Sequence, residues 1–248
     1  MSAKVQIMHR LSRWLLGVVF LFLLGSVGVW LYHSDYFPIK SVRLQGSLKH
    51  SNLTELHAIA KKYIRGNILR ADLNGAQAAF AQMPWIAEAR VSRRLPDVVE
   101  IKLVERVPVA RWDEHRLVDT RGELFTVPYE NNLPIFEGQE GTGQDMVRHY
   151  AQFQTLLQKH KLQIVKLIYT SRSAWSIILS NGLEIRLGRE HEQERLLRFI
   201  QVWPSLIAPQ TARLEYVDMR YKDGFSVREK KNVEAIEAAA SESQNNNQ

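Results

Sequence analysis

Residues 14–32 read WLLGVVFLFLLGSVGVWLY, a run with no charge and nothing strongly polar except Ser26. Nineteen helical residues rise about 28 Å at about 1.5 Å each, close to the ~30 Å hydrocarbon core of a bilayer. A core helix of a soluble domain keeps a polar stripe, whereas this run is apolar all round. Trp14 at one end and Trp30 with Tyr32 at the other stand where interfacial aromatic anchors belong. A secretory signal peptide shares the charged n-region and apolar run. The run is long for a signal, however, and Val29-Trp30-Leu31-Tyr32 offers no small-x-small cleavage site, so the pattern favours an uncleaved anchor. That anchor divides the chain into a short head and about 215 residues that must fold by themselves.

The flanks orient it. Lys4, Arg10 and Arg13 make the head +3 with no acid, while Asp35 and Lys40 cancel on the far side. The positive-inside rule then leaves residues 1–13 in the cytoplasm and sends the remainder across the membrane. The formal charge is +7, so the exported part carries about +4, an ordinary basic surface. With the tail's charge on the other side of the membrane, no nucleic-acid partner is expected despite the basic isoelectric point. The chain has no cysteine, which excludes disulfides, thiolate metal sites and a cysteine nucleophile.

Past the short link 34–37, Val42 and Leu44 alternate with Ser41, Arg43 and Gln45 up to Gly46, the pattern of a strand. Asn52 with Glu55 is a capping-box start for a helix bearing Leu53, Leu56, Ile59, Ala60, Tyr63 and Ile64 on its apolar spacing. Asp72 caps a second helix, with Leu73, Ala76, Phe80 and Met83 inward. Ala89 and Val91 lie in a second strand, Leu95-Pro96-Asp97 turns, and Val99, Ile101 and Leu103 face one way in a third. Strand, helix, helix, strand, strand is a complete α+β layer unit.

The rest reads as a β-rich domain. Val109–Trp112 continues the strand after Pro108. A hairpin turns at Asp119–Gly122, and residues 133–143 form a loop. Met146, Val147, Tyr150, Phe153, Leu156 and Leu157 line a helix. Strands at 164–169, 175–179 and 183–187 follow, the last pair joined by Asn181-Gly182, a strong hairpin turn. Leu196, Leu197, Ile200, Trp203 and Ile207 line another helix, ended near Pro204–Pro209. Residues 214–221 and 225–228 form a last hairpin around Lys222-Asp223-Gly224. There Val217, Met219 and Tyr221 share one face and Asp218 and Arg220 the other, so Val217 and Met219 are expected inward and Arg220 at solvent. From Glu229 the composition cannot bury a core, and a disordered tail is expected.

Chemistry is not signalled. His191, Glu192 and Glu194 do not form HExxH, and an acidic first helical turn explains them. Asp113, Glu114 and His115 sit where turn residues are expected. Ser171 and Ser173 lack a nucleophile elbow. Asn52-Leu53-Thr54 is better explained by capping than by glycosylation. No nucleotide-binding loop is present, so neither a cofactor nor a small-molecule substrate is expected. Arg90, Arg93, Arg94 and Lys102 are expected on one basic sheet face.

The spelling itself resembles a family. PIKSVRLQG at 38–46, MPWIAEARVSRRLPDVVEIKLVERVPVARW at 83–112, VDTRGELFTVP at 118–128 and VDMRYKDG at 217–224 stand in the order and spacing of the FtsQ/DivIB family of bacterial cell-division proteins. The resemblance runs from the anchor to about Arg228 and implies an α+β protein. Its parts would be a cytoplasmic tail (1–13), a transmembrane helix (14–32), a POTRA domain (37–107), a β domain with two helices against an antiparallel sheet (108–228) and a tail (229–248). It implies a non-enzymatic divisome scaffold in the bacterial inner membrane, mainly periplasmic and concentrated at the septum. The terminal strand region would receive FtsB in complex with FtsL and so help control septal peptidoglycan synthesis. The matching positions are Arg220, Tyr221, Asp223 and Gly224, with Phe225 beside them. Arg228-Glu229-Lys230 stand where the family carries an aromatic residue. Val91 and Arg93 would form a second contact surface for other divisome proteins. Two other readings remain: a different POTRA-bearing envelope scaffold or translocation component, and a membrane-anchored cell-wall enzyme.

Overall fold

The computed structural model describes Ser2–His33 and residues 37–230. Residues 34–36 of the expected link (34–37) and residues 231–248 of the expected tail (229–248) lie outside the described residues. Helix α1 (Ser2–His33) contains the expected anchor and starts well upstream of it. Its stretch Arg13–Trp30 is long and apolar enough to cross a membrane, and the side chains along it are exposed. The folded remainder divides between Arg106 and Val107 into two units.

The first unit holds β1 (Ser41–Gln45), α2 (Leu53–Tyr63), α3 (Leu73–Ala81), β2 (Ile86–Arg94) and β3 (Val98–Glu105). Local signals start both helices. Asn52 Oδ1 accepts the Thr54 N–H at 2.9 Å, and Asp72 Oδ1 accepts the Gly75 N–H at 2.9 Å. The sheet order is β1-β3-β2, with β2 antiparallel and β1 parallel to β3. The two-helix crossover is what lets β1 run parallel. Both helices cover one face, where Leu56, Ile68, Phe80, Val99, Ile101 and Leu103 are buried. Gly46 ends β1 at φ +141°, and a Cβ there would sit 2.2 Å from the Leu103 carbonyl oxygen.

One carboxylate ties the β1–α2 connection to this sheet. Glu105, the glutamate of LVER, accepts the backbone N–H groups of Lys49 (2.7 Å), His50 (3.0 Å) and Ser51 (2.6 Å), and the Ser51 hydroxyl (2.6 Å). Burial alone would raise its pKa; the Ser51 hydroxyl and the three backbone donors outweigh that and hold it below the ordinary value of 4.5. His50 stacks on Trp85 at 4.3 Å, so the PW pair and LVER hold the same loop.

The basic face expected of this unit is divided in two. Arg93 shares the helix-covered side with Ala89 and Val91, and donates to the carbonyls of Ile68 (2.8 Å) and Ala71 (2.9 Å). Arg90, Arg94 and Lys102 remain on the open side with Glu88 and Glu100. The cause is the strand's two-residue period, which puts Arg93 and its neighbour Arg94 on opposite faces.

The second unit holds β4 (Pro108–Arg111), β5 (Arg116–Asp119), β6 (Leu124–Thr126), β7 (Ile135–Glu137), α4 (Gly143–Gln158), β8 (Ile164–Tyr169), β9 (Trp175–Leu179), β10 (Glu184–Gly188), α5 (Glu192–Val202), β11 (Leu214–Asp218) and β12 (Ser226–Glu229). They form one sheet in the order β12-β11-β10-β9-β8-β7-β4-β5-β6. The sheet is mixed, not wholly antiparallel: β4–β7, β7–β8 and β10–β11 are parallel pairs. α4 bridges β7 to β8, and α5 with its extension bridges β10 to β11, the crossovers that parallel neighbours require. The expected loop at 133–143 therefore contains a central strand. α5 ends at Val202, and a π-helical turn with Pro204 near its start leads on to the buried Ile207; a proline lacks the N–H that would continue the helix. Glu229 lies in β12, so the ordered chain extends into the expected tail. Phe136, Met146, Phe153, Leu167, Ile177 and Phe199 are fully buried in the shared core.

Glu105→Gln is expected to lower the stability of the first unit by about 1–3 kcal/mol, the scale of hydrogen bonds to a charged acceptor. Because the folded pKa is depressed, the carboxylate's contribution is present above the ordinary value of 4.5 and is lost as pH falls through the lower folded value. Amide exchange at Lys49–Ser51, followed against pH, reads both effects.

Candidate partner-binding edge

β12 is the terminal strand of the large sheet and all four of its residues are exposed. Among the described residues it pairs with β11 only, so its outer row of N–H and C=O groups faces away from the sheet. The parallel placement of β11 on β10 puts it there, with Ile185↔Val217 and Val217↔Val227 in register.

The segment joining β11 to β12 carries the expected site residues. β11 stops at Asp218, so Arg220, Tyr221, Asp223 and Gly224 stand in a bend and not on a strand. Met219 is buried as expected, and its N–H reaches Arg186 O at 2.9 Å. Asp218 departs from the simple alternation and is itself buried at 4%. Its carboxylate accepts the Arg220 N–H (3.0 Å), Nε (2.9 and 3.0 Å) and Nη2 (2.6 Å). The Arg220 side-chain hydrogen bonds hold the Asp218 carboxyl below its ordinary range, against desolvation, with the Arg220 N–H and the Arg186 charge helping. Arg220 meanwhile stays 58% exposed, so its orientation is fixed while its outer face is free. Gly188, at φ +82°, makes this packing possible, since a Cβ there would approach Arg220 Cγ to 3.0 Å.

Tyr221 is 58% exposed beside it. Arg198 Nη1 donates to the Lys222 carbonyl and pins the bend to α5. Arg195, Arg198, Arg220 and Lys222, with His191 and Glu194, surround a hollow of about 490 Å³. Phe225 is partly buried and packs against the core, which seats the start of β12. On the sheet's other face, Glu184 grips Arg186 at 2.9 and 3.0 Å, and Arg186 lies 3.6 Å over the Tyr216 ring. Of the second expected surface, Val91 is partly buried against the core of the first unit and Arg93 is engaged with the carbonyls named above.

Asp113 caps a turn. It accepts the N–H groups of His115 (2.9 Å) and Arg116 (2.7 Å) and pairs with Arg116 Nε at 2.6 Å. The Arg116 and His115 hydrogen bonds lower its pKa to about 2, far from the neutral range that suits acid–base chemistry. Glu192 meets His149 Nε2 at 3.3 Å, joining the start of α5 to α4.

The model of the FtsQ/DivIB C-terminal domain matches residues 110–220, and that of the FtsQ-type POTRA domain matches residues 37–106. The chain belongs to the FtsQ/DivIB family. It is 50% identical over 226 residues to the cell division protein FtsQ of Neisseria gonorrhoeae, covering 91% of this chain and 93% of the relative. It is 50% identical over 222 residues to that of Neisseria meningitidis, covering 89% and 94%. With FtsQ of Escherichia coli the identity is 30% over 207 residues, covering 80% and 75%. The FtsQ-type POTRA match ends at residue 106 and the C-terminal match begins at 110, on either side of the division between the two folded units. FtsQ relatives and one long apolar N-terminal helix fit a single-pass membrane protein.

Sequence pattern alone missed the buried Asp218. Its signal was the acid two residues before an arginine in VDMR, a spacing that suits a carboxylate capping the following backbone. Asp218→Ala is expected to cost about 1–3 kcal/mol, because it removes the charged acceptor and releases Arg220. Faster amide exchange at Arg220 than in the parent protein is the measurement that checks it.

Proposed function

We propose that the chain is a divisome scaffold whose β12 edge and adjoining bend receive the FtsB–FtsL pair. It would thereby help recruit and control septal peptidoglycan synthesis without catalysing a reaction. The supporting observation is the Asp218-clamped Arg220 beside exposed Tyr221, at the end of an unpaired strand edge. A partner strand added there gains main-chain hydrogen bonds, while alternate side chains give selectivity. Arg and Tyr are residue types that concentrate binding energy. A partner carrying carboxylates also suits the cationic hollow beside Arg220. Asp223 and Gly224 shape the bend, and Phe225 acts through its seat in the core.

The basic head places the N-terminus in the cytoplasm in this proposal, the anchor in the inner membrane and the folded units in the periplasm at the septum. Other divisome proteins would meet the POTRA domain near Val91, with Arg93 acting from its place beneath the sheet.

The full chain in detergent micelles is expected to bind an extracytoplasmic FtsB–FtsL fragment. Arg220→Glu and Tyr221→Ala should each weaken that binding by about ten-fold or more, the ~2 kcal/mol scale of an interface hot spot. Equal binding by all three proteins would place the partner elsewhere, and no binding by the parent would remove the assignment.

A further inference from the structure

The first unit has its own unpaired edge, and its chemistry differs from that of β12. β1 is the outer strand of β1-β3-β2, and all five of its residues are exposed. Val42 and Leu44 point to the helix-covered side yet remain 43% and 42% exposed. Both line a slot of about 260 Å³ between β1 and α2. Its walls are Val42, Leu44, Leu56, Ala60, Ile64 and Phe80. His57 and Lys61 stand on its rim, and Leu53, one helical turn before His57, is 58% exposed.

The opposite edge of the same sheet is engaged at one point. Gln77 Oε1 accepts the Val91 N–H of β2 at 3.2 Å, and Arg93 folds back onto the Ile68 and Ala71 carbonyls. β1 carries no such guard among the described residues. A strand edge with unoccupied apolar room beside it suits an added strand whose alternate side chains enter the slot.

Charge narrows the occupant. The open face of this sheet carries Arg43, Arg90, Arg94 and Lys102 against Glu88 and Glu100. Arg43 and Lys61 make no ion pair among the described residues, and no carboxylate there lines the slot. An added strand would put one set of side chains into the apolar slot and the other beside Arg43. Lipid is a poor occupant, because an open strand edge in hydrocarbon leaves backbone groups unsatisfied. Reach adds location. Seven residues separate the end of α1 at His33 from Ser41, and the eight Cα-to-Cα steps between the two span at most about 28 Å when fully extended. The edge is thus tethered near the bilayer surface.

We infer that the outer edge of β1 and the β1–α2 slot form a second docking site, for an extended segment of alternating apolar and acidic residues in the membrane-proximal part of another protein. The inference is independent of the β12 proposal.

The probe is a fluorescently labelled octapeptide of alternating valine and glutamate, with its valine–lysine counterpart beside it, added to the full chain in nanodiscs. The glutamate peptide is expected to bind about ten-fold more tightly than the lysine peptide, the scale of one favourable charge contact. It should slow amide exchange at Val42–Gln45. Leu44→Glu should weaken it by about ten-fold, since it sets a charge in the apolar slot that the valines must enter. Leu44→Thr, a strand-compatible polar control, should bind at an intermediate level, with exchange in β3 unchanged in both variants. Absence of binding, equal binding of the two peptides, equal binding by Leu44→Glu, or protection at β2 or β12 would each overturn the inference. So would slow exchange at β1 that depends on protein concentration without peptide, which would assign the edge to a second copy. Slow exchange that depends on anionic lipid alone would assign it to the membrane.

Discussion

Carboxylates that collect backbone N–H groups at strand ends hold this protein's connections in place. Glu105 gathers the donors of residues 49–51, Asp119 accepts the N–H groups of Arg121 (2.9 Å) and Glu123 (3.0 Å), and Asp218 accepts that of Arg220 (3.0 Å). Each stands at the last position of its strand, where the ladder can no longer satisfy the chain. A charged acceptor makes stronger hydrogen bonds than a neutral one, and its burial raises the penalty for losing any donor. The turns these acids define are therefore rigid without disulfides, in a chain that has no cysteine.

Those fixed turns matter because both sheets owe their edges to chain order. In the first unit the two-helix crossover throws β1 to the far side of β3. In the second, the α5 crossover throws β11 beyond β10, and the turn after Asp218 returns β12 to the outside. Had β11 paired antiparallel to β10 through a short loop, no helix would separate them and the cationic hollow at the start of α5 would not meet the bend. Parallel pairing is what gathers Arg195, Arg198 and Arg220 into one place.

Periodicity made most of this legible. The helices at 53–63, 73–81 and 143–158 and the strands of the 164–188 region follow from apolar spacing and turn residues, and the spelling of LVER, VDTRG and VDMR gave the family. In the structure the acids of those words, Glu105, Asp119 and Asp218, each hold a turn by accepting its backbone N–H groups. What stayed hidden was non-local. β7 has three residues, with Phe136 buried between flanking exposed positions, and it is a strand because β4 and β8 lie on either side of it. Arg93 has the composition of a solvated face, but strand parity aims it at carbonyls 22 and 25 residues away. Arg220 is legible as solvent-reaching; the burial of Asp218, which shares its face in the alternation and aims it, is not.

The same reasoning separates a usable edge from a hazardous one. Long, flat, apolar edges invite indiscriminate pairing, and short or charged ones do not. β12 has four residues and β1 has five, so neither offers enough main-chain hydrogen bonds to hold a partner by backbone alone. Selectivity must then come from what stands beside each edge. At β12 that is an arginine clamped by a buried aspartate and an exposed tyrosine; at β1 it is an apolar slot under a basic rim. β2, the longest strand of the first sheet at nine residues, is the one whose edge is capped by Gln77. An edge long enough to pair without help is guarded, and the short ones, which need matching side chains, are left open.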